Sequence, residues 1–197
     1  MENIEYRNFT VVADATDATD GKTPNYRVAG YATTFEPYLL WDWGDEKVFE
    51  LVERTAFENV DLSQVIMLYN HNGRVLARCD NGTLEINVDE KGLHIRADLS
   101  KSQYAREIYE DIQTGLVKQM SWGFSIDKID RVETGKNTTL RTIKQVKKVY
   151  EVSVVSIPAN NQTSIQAERA GKRAAEERSL AGRKNALVAA INAILQK

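Results

Sequence analysis

Between Lys118 and Asp127 the chain reads KQMSWGFSID, and its large apolar residues, Met120, Trp122, Phe124 and Ile126, fall on alternate positions. Period two is the spacing of a β-strand with two unlike faces. The other face carries Ser121, Gly123, Ser125 and Asp127. The same alternation recurs in TLEINV and LHIRADL, which flank DEKG and predict a hairpin with Leu84, Ile86, Val88, Leu93, Ile95, Ala97 and Leu99 on one face. His94 has the opposite parity. YRVAGYATTF predicts a strand, and QVIMLYN predicts a short strand ending in an HNG turn. KVYEVSVV closes a long strand that follows a polar ETGKNT turn.

Other stretches read differently. NFTVVA and YRVAGYATTF are expected to be strands around a polar loop, DATDATDGKTPN, rich in turn formers. PYLLWDWGDEKVFELVERTAF reads as an aromatic-rich loop leading into a strand, with a short helix over residues 57–63. Tyr104, Ile108 and Ile112 are spaced as the core stripe of a helix. Ser100 is its expected N-cap, Gln103 completes a capping box, and Gly115 marks its end. The expected fold is thus mostly β with flanking helices. From Gln166 onward the chain is rich in Ala, Arg, Lys and Glu, with Leu187, Val188, Ile191, Ile194 and Leu195 at helical spacing. We therefore divide the chain into a body, residues 1–165, and a charged helical extension, residues 166–197.

Charge sharpens that division. The extension holds 7 basic and 3 acidic residues, so it carries +4 and the body −6 of a net −2. The overall balance gives no argument for nucleic-acid binding. Cys79 is the only cysteine, which rules out an internal disulfide and points to a reducing compartment. No apolar run approaches the ~20 residues of a membrane helix, and MENIEYRNFT lacks a signal-peptide layout. A soluble intracellular protein is expected, with no membrane partner. Metal-ligand spacings and Gly-rich phosphate loops are absent, so no cofactor is expected.

The candidate chemistry centres on Ser121, set on a strand whose other face is strongly apolar. A serine hydroxyl needs a base to become a nucleophile. The histidines are His71 and His94. His71 ends an apolar strand and is the preferred base, because that position leaves access for a substrate. His94 lies within a hairpin strand. Glu151 interrupts an apolar strand, and a carboxylate buried there needs a cationic or hydrogen-bonding partner. A solvent-facing edge position is the alternative. Ser153 shares its face as an auxiliary group. A thiol pair of Cys79 with His71 is the weaker candidate, since ARCDNG reads as a polar turn.

Five segments in order resemble the prohead maturation proteases of tailed bacteriophages, serine proteases related in fold to the herpesvirus assemblins. They are VAGYATTFE, ELVERTAF, VIMLYNHNGRVLAR, KGLHIRADL with IQTGLVKQMSWGFS, and YEVSVVSIPAN. The resemblance runs from about residue 26 to 165. It implies an assemblin-like β-barrel core and peptide-bond hydrolysis, with His71 as catalytic histidine, Ser121 as nucleophile and Glu151 as third member. Asn72 and Trp122 depart from the family pattern. The resemblance further implies that the substrate is the scaffold segment of the major capsid protein, together with the protease itself, inside the procapsid in the host cytoplasm. Packing of the extension on another copy would make a homo-oligomer. A non-catalytic capsid-assembly or scaffold factor with a protease-like body is the rival.

Overall fold

The computed structural model describes residues 3–9, 14–16 and 26–156. The expected helical extension, residues 166–197, lies outside the described residues. Two strands frame the molecule: β10 (Gln119–Gly135) and β11 (Thr138–Val155), a long antiparallel hairpin. Their connection is Lys136 and Asn137, with Asn137 in the left-handed region at φ +59°.

β11 pairs with different strands along its length. Thr138–Ile143 runs parallel to β5 (Lys47–Val52), and Glu151–Val154 runs parallel to β6 (Ile66–Tyr69). The sheet therefore forks. One branch continues through β5 to β4 (Tyr38–Asp42), the other through β6 to β7 (Asn72–Arg78). On the far side of β10 lies β1 (Glu5–Phe9), which gives seven strands among the described residues. A second sheet has the order β2-β3-β9-β8: β2 (Asp14–Thr16), β3 (Arg27–Thr34), β9 (Gly92–Asp98) and β8 (Leu84–Val88).

The fold is mostly β, as the periodicity predicts, but the expected barrel does not form. Among the described residues neither sheet closes on itself: β1, β4 and β7 end the first, and β2 and β8 end the second. The forking of β11 is the reason: its two halves serve two branches instead of one continuous wall. Nor do the described residues hold several flanking helices. Among the described residues there is one α-helix, α1 (Gln103–Gln113), and one 3-10 turn at Arg54–Phe57, upstream of the expected short helix. The N-cap of α1 is Ser102, whose hydroxyl accepts from the Ala105 N–H at 3.1 Å. Ser100 is instead held by Asp98, its N–H donating to Oδ1 at 2.9 Å. Gly115 ends the helix as expected, at φ +77°. Two stretches read as loops are strands, since Asp14–Thr16 pairs with β3 and Tyr38–Asp42 pairs with β5.

The core lies under the apolar face of β10. Met120, Trp122 and Phe124 are fully buried there, together with Leu93 and Ile95 of β9 and Ile108 and Ile112 of α1. Trp122 and Phe124 stack at 3.7 Å between ring centroids, and Trp122 also meets Phe57 at 5.6 Å. Trp122 thus belongs to the backing of β10. The opposite face of the strand is where the polar residues gather. Among the described residues no helix is long and apolar enough to cross a membrane.

Candidate functional site

His71 sits at the tip of the β6–β7 hairpin. Tyr69 pairs with Asn72, which leaves Asn70 and His71 as a two-residue turn. Both have positive φ, +50° and +58°. This is the conformation that fits the twist of a tight hairpin, and Asn and His tolerate it better than most residues. Three contacts hold the turn down. The Asn70 N–H donates to the Val154 carbonyl at 2.9 Å, the Ser156 N–H donates to Asn70 Oδ1 at 2.8 Å, and the His71 N–H donates to Ser153 Oγ at 3.3 Å. A side chain on such a pinned turn has little freedom to wander.

The imidazole reaches Glu151. His71 Nδ1 lies 2.7 Å from Glu151 Oε1, and the Glu151 residue is 5% exposed. The other carboxylate oxygen, Oε2, accepts from the Ser153 hydroxyl. Ser153 therefore touches both members of the pair, the imidazole's backbone and the carboxylate. The edge-strand alternative for Glu151 is excluded, because β11 has β10 on one side and β6 on the other. The lack of a side chain at Gly123 is also specific. A Cβ there would stand 2.7 Å from Glu151 Oε1 and 2.9 Å from Tyr6 Cε1, so only glycine lets the carboxylate and the Tyr6 ring approach the strand this closely.

Ser121 lies on the same face. It pairs in register with Ser153, as Gly123 pairs with Glu151. Its hydroxyl, however, donates to the backbone carbonyl of Arg7 at 2.9 Å and not to His71. β1 lies directly against β10 here, with Asn8 opposite Ser121 and Tyr6 opposite Gly123. The Tyr6 ring stands edge-on to the His71 ring, 4.5 Å between centroids. Ser121 is 0% exposed beneath this cover.

The remaining candidates are elsewhere. His94 is half-buried on the second sheet, against Tyr31 at 4.9 Å. Cys79 follows the far end of β7, about 26 Å along an extended strand from His71. Burial and then the nearby Asp80 charge push its thiol up, away from the thiolate that a Cys–His pair needs. Asn72 is exposed and its side chain accepts from the Gly73 N–H at 2.7 Å. Among the described residues no cluster of three or more His, Cys, Asp or Glu is placed to hold a metal ion.

One buried constellation escaped the sequence reading. Glu50, 0% exposed, accepts from Arg7 Nε at 2.6 Å and Arg7 Nη2 at 3.1 Å, and from the Tyr38 hydroxyl. Arg141 Nε is 3.0 Å from Glu50 Oε2, and Arg141 Nη2 donates to Glu5 at 2.7 and 2.8 Å. Arg7 also meets Glu5 and lies over the Phe124 ring at 5.5 Å. Two carboxylates and two guanidinium groups thus anchor β1 to β5 and β11. Burial and then the Glu50 carboxylate push the Tyr38 phenol well up, so it stays a neutral donor. The signal was present in VFELV, where Glu50 interrupts an apolar run as Glu151 does in YEVSVV.

Residues 13–177 match the model of a family described as caudovirus prohead serine protease. Neither the curated proteins nor the solved structures compared with the chain give a match.

Proposed function

The chain belongs to the caudovirus prohead serine protease family, and from that premise we propose that it is a serine endopeptidase that cleaves the scaffold segment of the phage major capsid protein, and itself, during procapsid maturation. Family membership supports the coarser parts of this reading: a protease role in capsid maturation, a capsid protein as substrate, and action within the assembling procapsid in the host cell. The observation that carries the finer part is the His71–Glu151 hydrogen bond on the sheet face that also bears Ser121.

The roles follow from the chemistry. Glu151 holds Nδ1 of His71, which fixes the tautomer and leaves Nε2 to act as base. His71 takes the proton of Ser121, Ser121 Oγ attacks the scissile carbonyl, and His71 returns the proton to the leaving amine. Glu151 stabilises the imidazolium formed on the way. Ser121 must first release the Arg7 carbonyl, and catalytic hydrogen bonds commonly tighten only once substrate is bound.

The rival, a non-catalytic capsid-assembly factor with a protease-like body, is favoured by one observation, the complete burial of Ser121 beneath β1. Co-expression of the wild type or Ser121→Ala with the major capsid protein separates the two. Intact mass spectrometry is expected to find defined capsid fragments, and self-cleavage, with the wild type alone. Identical masses in both samples, with capsids still assembling, would establish the rival.

A further inference from the structure

We propose that the edge of β10 covered by β1 is the docking site for the main chain of an extended polypeptide substrate, and that β1 is its resident occupant. The inference rests on Ser121 being the nucleophile. β1 pairs antiparallel with β10 from Met120 to Phe124, so it uses the backbone groups of β10 on either side of Ser121. Strand addition of this kind is sequence-tolerant, because main-chain hydrogen bonds supply the attraction and alternate side chains supply the selectivity.

The position of one carbonyl is the central point. The Arg7 carbonyl accepts from Ser121 Oγ at 2.9 Å. A peptide in the same seat would bring one of its own carbonyls to the nucleophile's oxygen, at the ~3–3.5 Å separation from which attack begins. β1 therefore occupies the substrate's place, and its Arg7 carbonyl holds in a hydrogen bond the proton that His71 is to remove. Tyr6 completes the obstruction, its ring close over Gly123 and edge-on to His71. Arg7 is the latch: its side chain passes to the opposite face of the strand and is seated on Glu50. The ligand class is an extended, non-helical stretch of capsid polypeptide running antiparallel to β10.

The test compares the full-length wild type with full-length Arg7→Met, which removes the tie to Glu50. A fluorophosphonate probe reads the reactivity of Ser121, with Ser121→Ala as the blank and thermal melting to confirm the folded state. The variant is expected to be labelled at least tenfold faster. Labelling at equal rates in both proteins overturns the inference and leaves the nucleophile assignment standing. Labelling in neither removes both. If Arg7→Met does not fold, hydrogen exchange on the wild type decides. A short peptidyl diphenyl phosphonate bound at Ser121 is expected to speed exchange of the β1 amides of residues 6–9 while β10 stays protected. Unchanged protection of β1 would overturn the proposal.

Discussion

Two buried carboxylates interrupt apolar strands in this molecule, and their partners differ in kind. Glu50 faces two guanidinium groups and a phenol that burial keeps neutral. None of these three partners changes its charge in the ordinary pH range, so Glu50 anchors β1 without cycling a proton. Glu151 faces an imidazole and a serine hydroxyl. An imidazole can both take up and give back a proton, which a guanidinium or a phenol kept neutral does not do. A carboxylate locked by arginines serves as a rivet, whereas a carboxylate holding a histidine can work through a proton cycle. The surroundings of a buried acid, more than its burial, separate structure from chemistry here.

Substitutions at the two sites should break that comparison in opposite ways. Glu151→Gln keeps the shape but offers the wrong group to Nδ1, and kcat for capsid-protein cleavage is expected to fall by about 10⁴, with the melting temperature little changed. Glu50→Ala leaves Arg7 and Arg141 buried with only Glu5, which should cost about 3–5 kcal/mol. Calorimetry should then show a melting point lower by roughly 6–20 °C, while cleavage per folded molecule does not fall.

Smaller changes sharpen the contrast. Ser153→Ala removes a hydrogen bond to a charged acceptor, worth about 1.5–3 kcal/mol, so the rate should drop by about tenfold to a hundredfold and recover in part in Ser153→Thr. A rate set only by folding would not follow the hydroxyl. The mildest effect concerns Glu5. Burial raises its carboxyl, but the hydrogen bond and charge of Arg7, then Arg141, outweigh this and hold it below its usual 4.5. Its contribution is therefore complete above that value and is lost as pH falls through the lower folded one. Acidification below about pH 4.5 should loosen β1 in the wild type, seen as faster amide exchange, and Glu5→Gln should flatten that dependence.

Local patterns were legible in the sequence, and partners distant along the chain were not. Period two placed the β8–β9 hairpin and both faces of β10, and Gly115 marked the end of α1, because each signal lies within a few residues. Glu151 stood out as a carboxylate in an apolar strand, and the structure puts it beside His71, 80 residues away. Glu50 offered the same signal, but one of its cations, Arg7, lies 43 residues earlier and the other, Arg141, lies on β11, and nothing local ties either to it. The cap of α1 moved from Ser100 to Ser102 because Asp98 already engages the Ser100 N–H. Barrel closure failed as an expectation because no local pattern encodes which strands β11 will divide between.

The pairing of β1 with β10 also sets an order in time. Arg7 and Ser121 are 114 residues apart. At the ~5–20 residues per second of ribosomal synthesis, the first strand waits about 6–23 s for its seat to be made. During that interval β1 is an unpaired strand with nothing to cover, and Ser121 does not yet exist. Once β10 and β11 emerge, the strand already present in the same chain competes for the new edge at a high effective concentration, ahead of any capsid polypeptide in solution. A newly made copy therefore closes over its own serine by default, and encounter with substrate comes second.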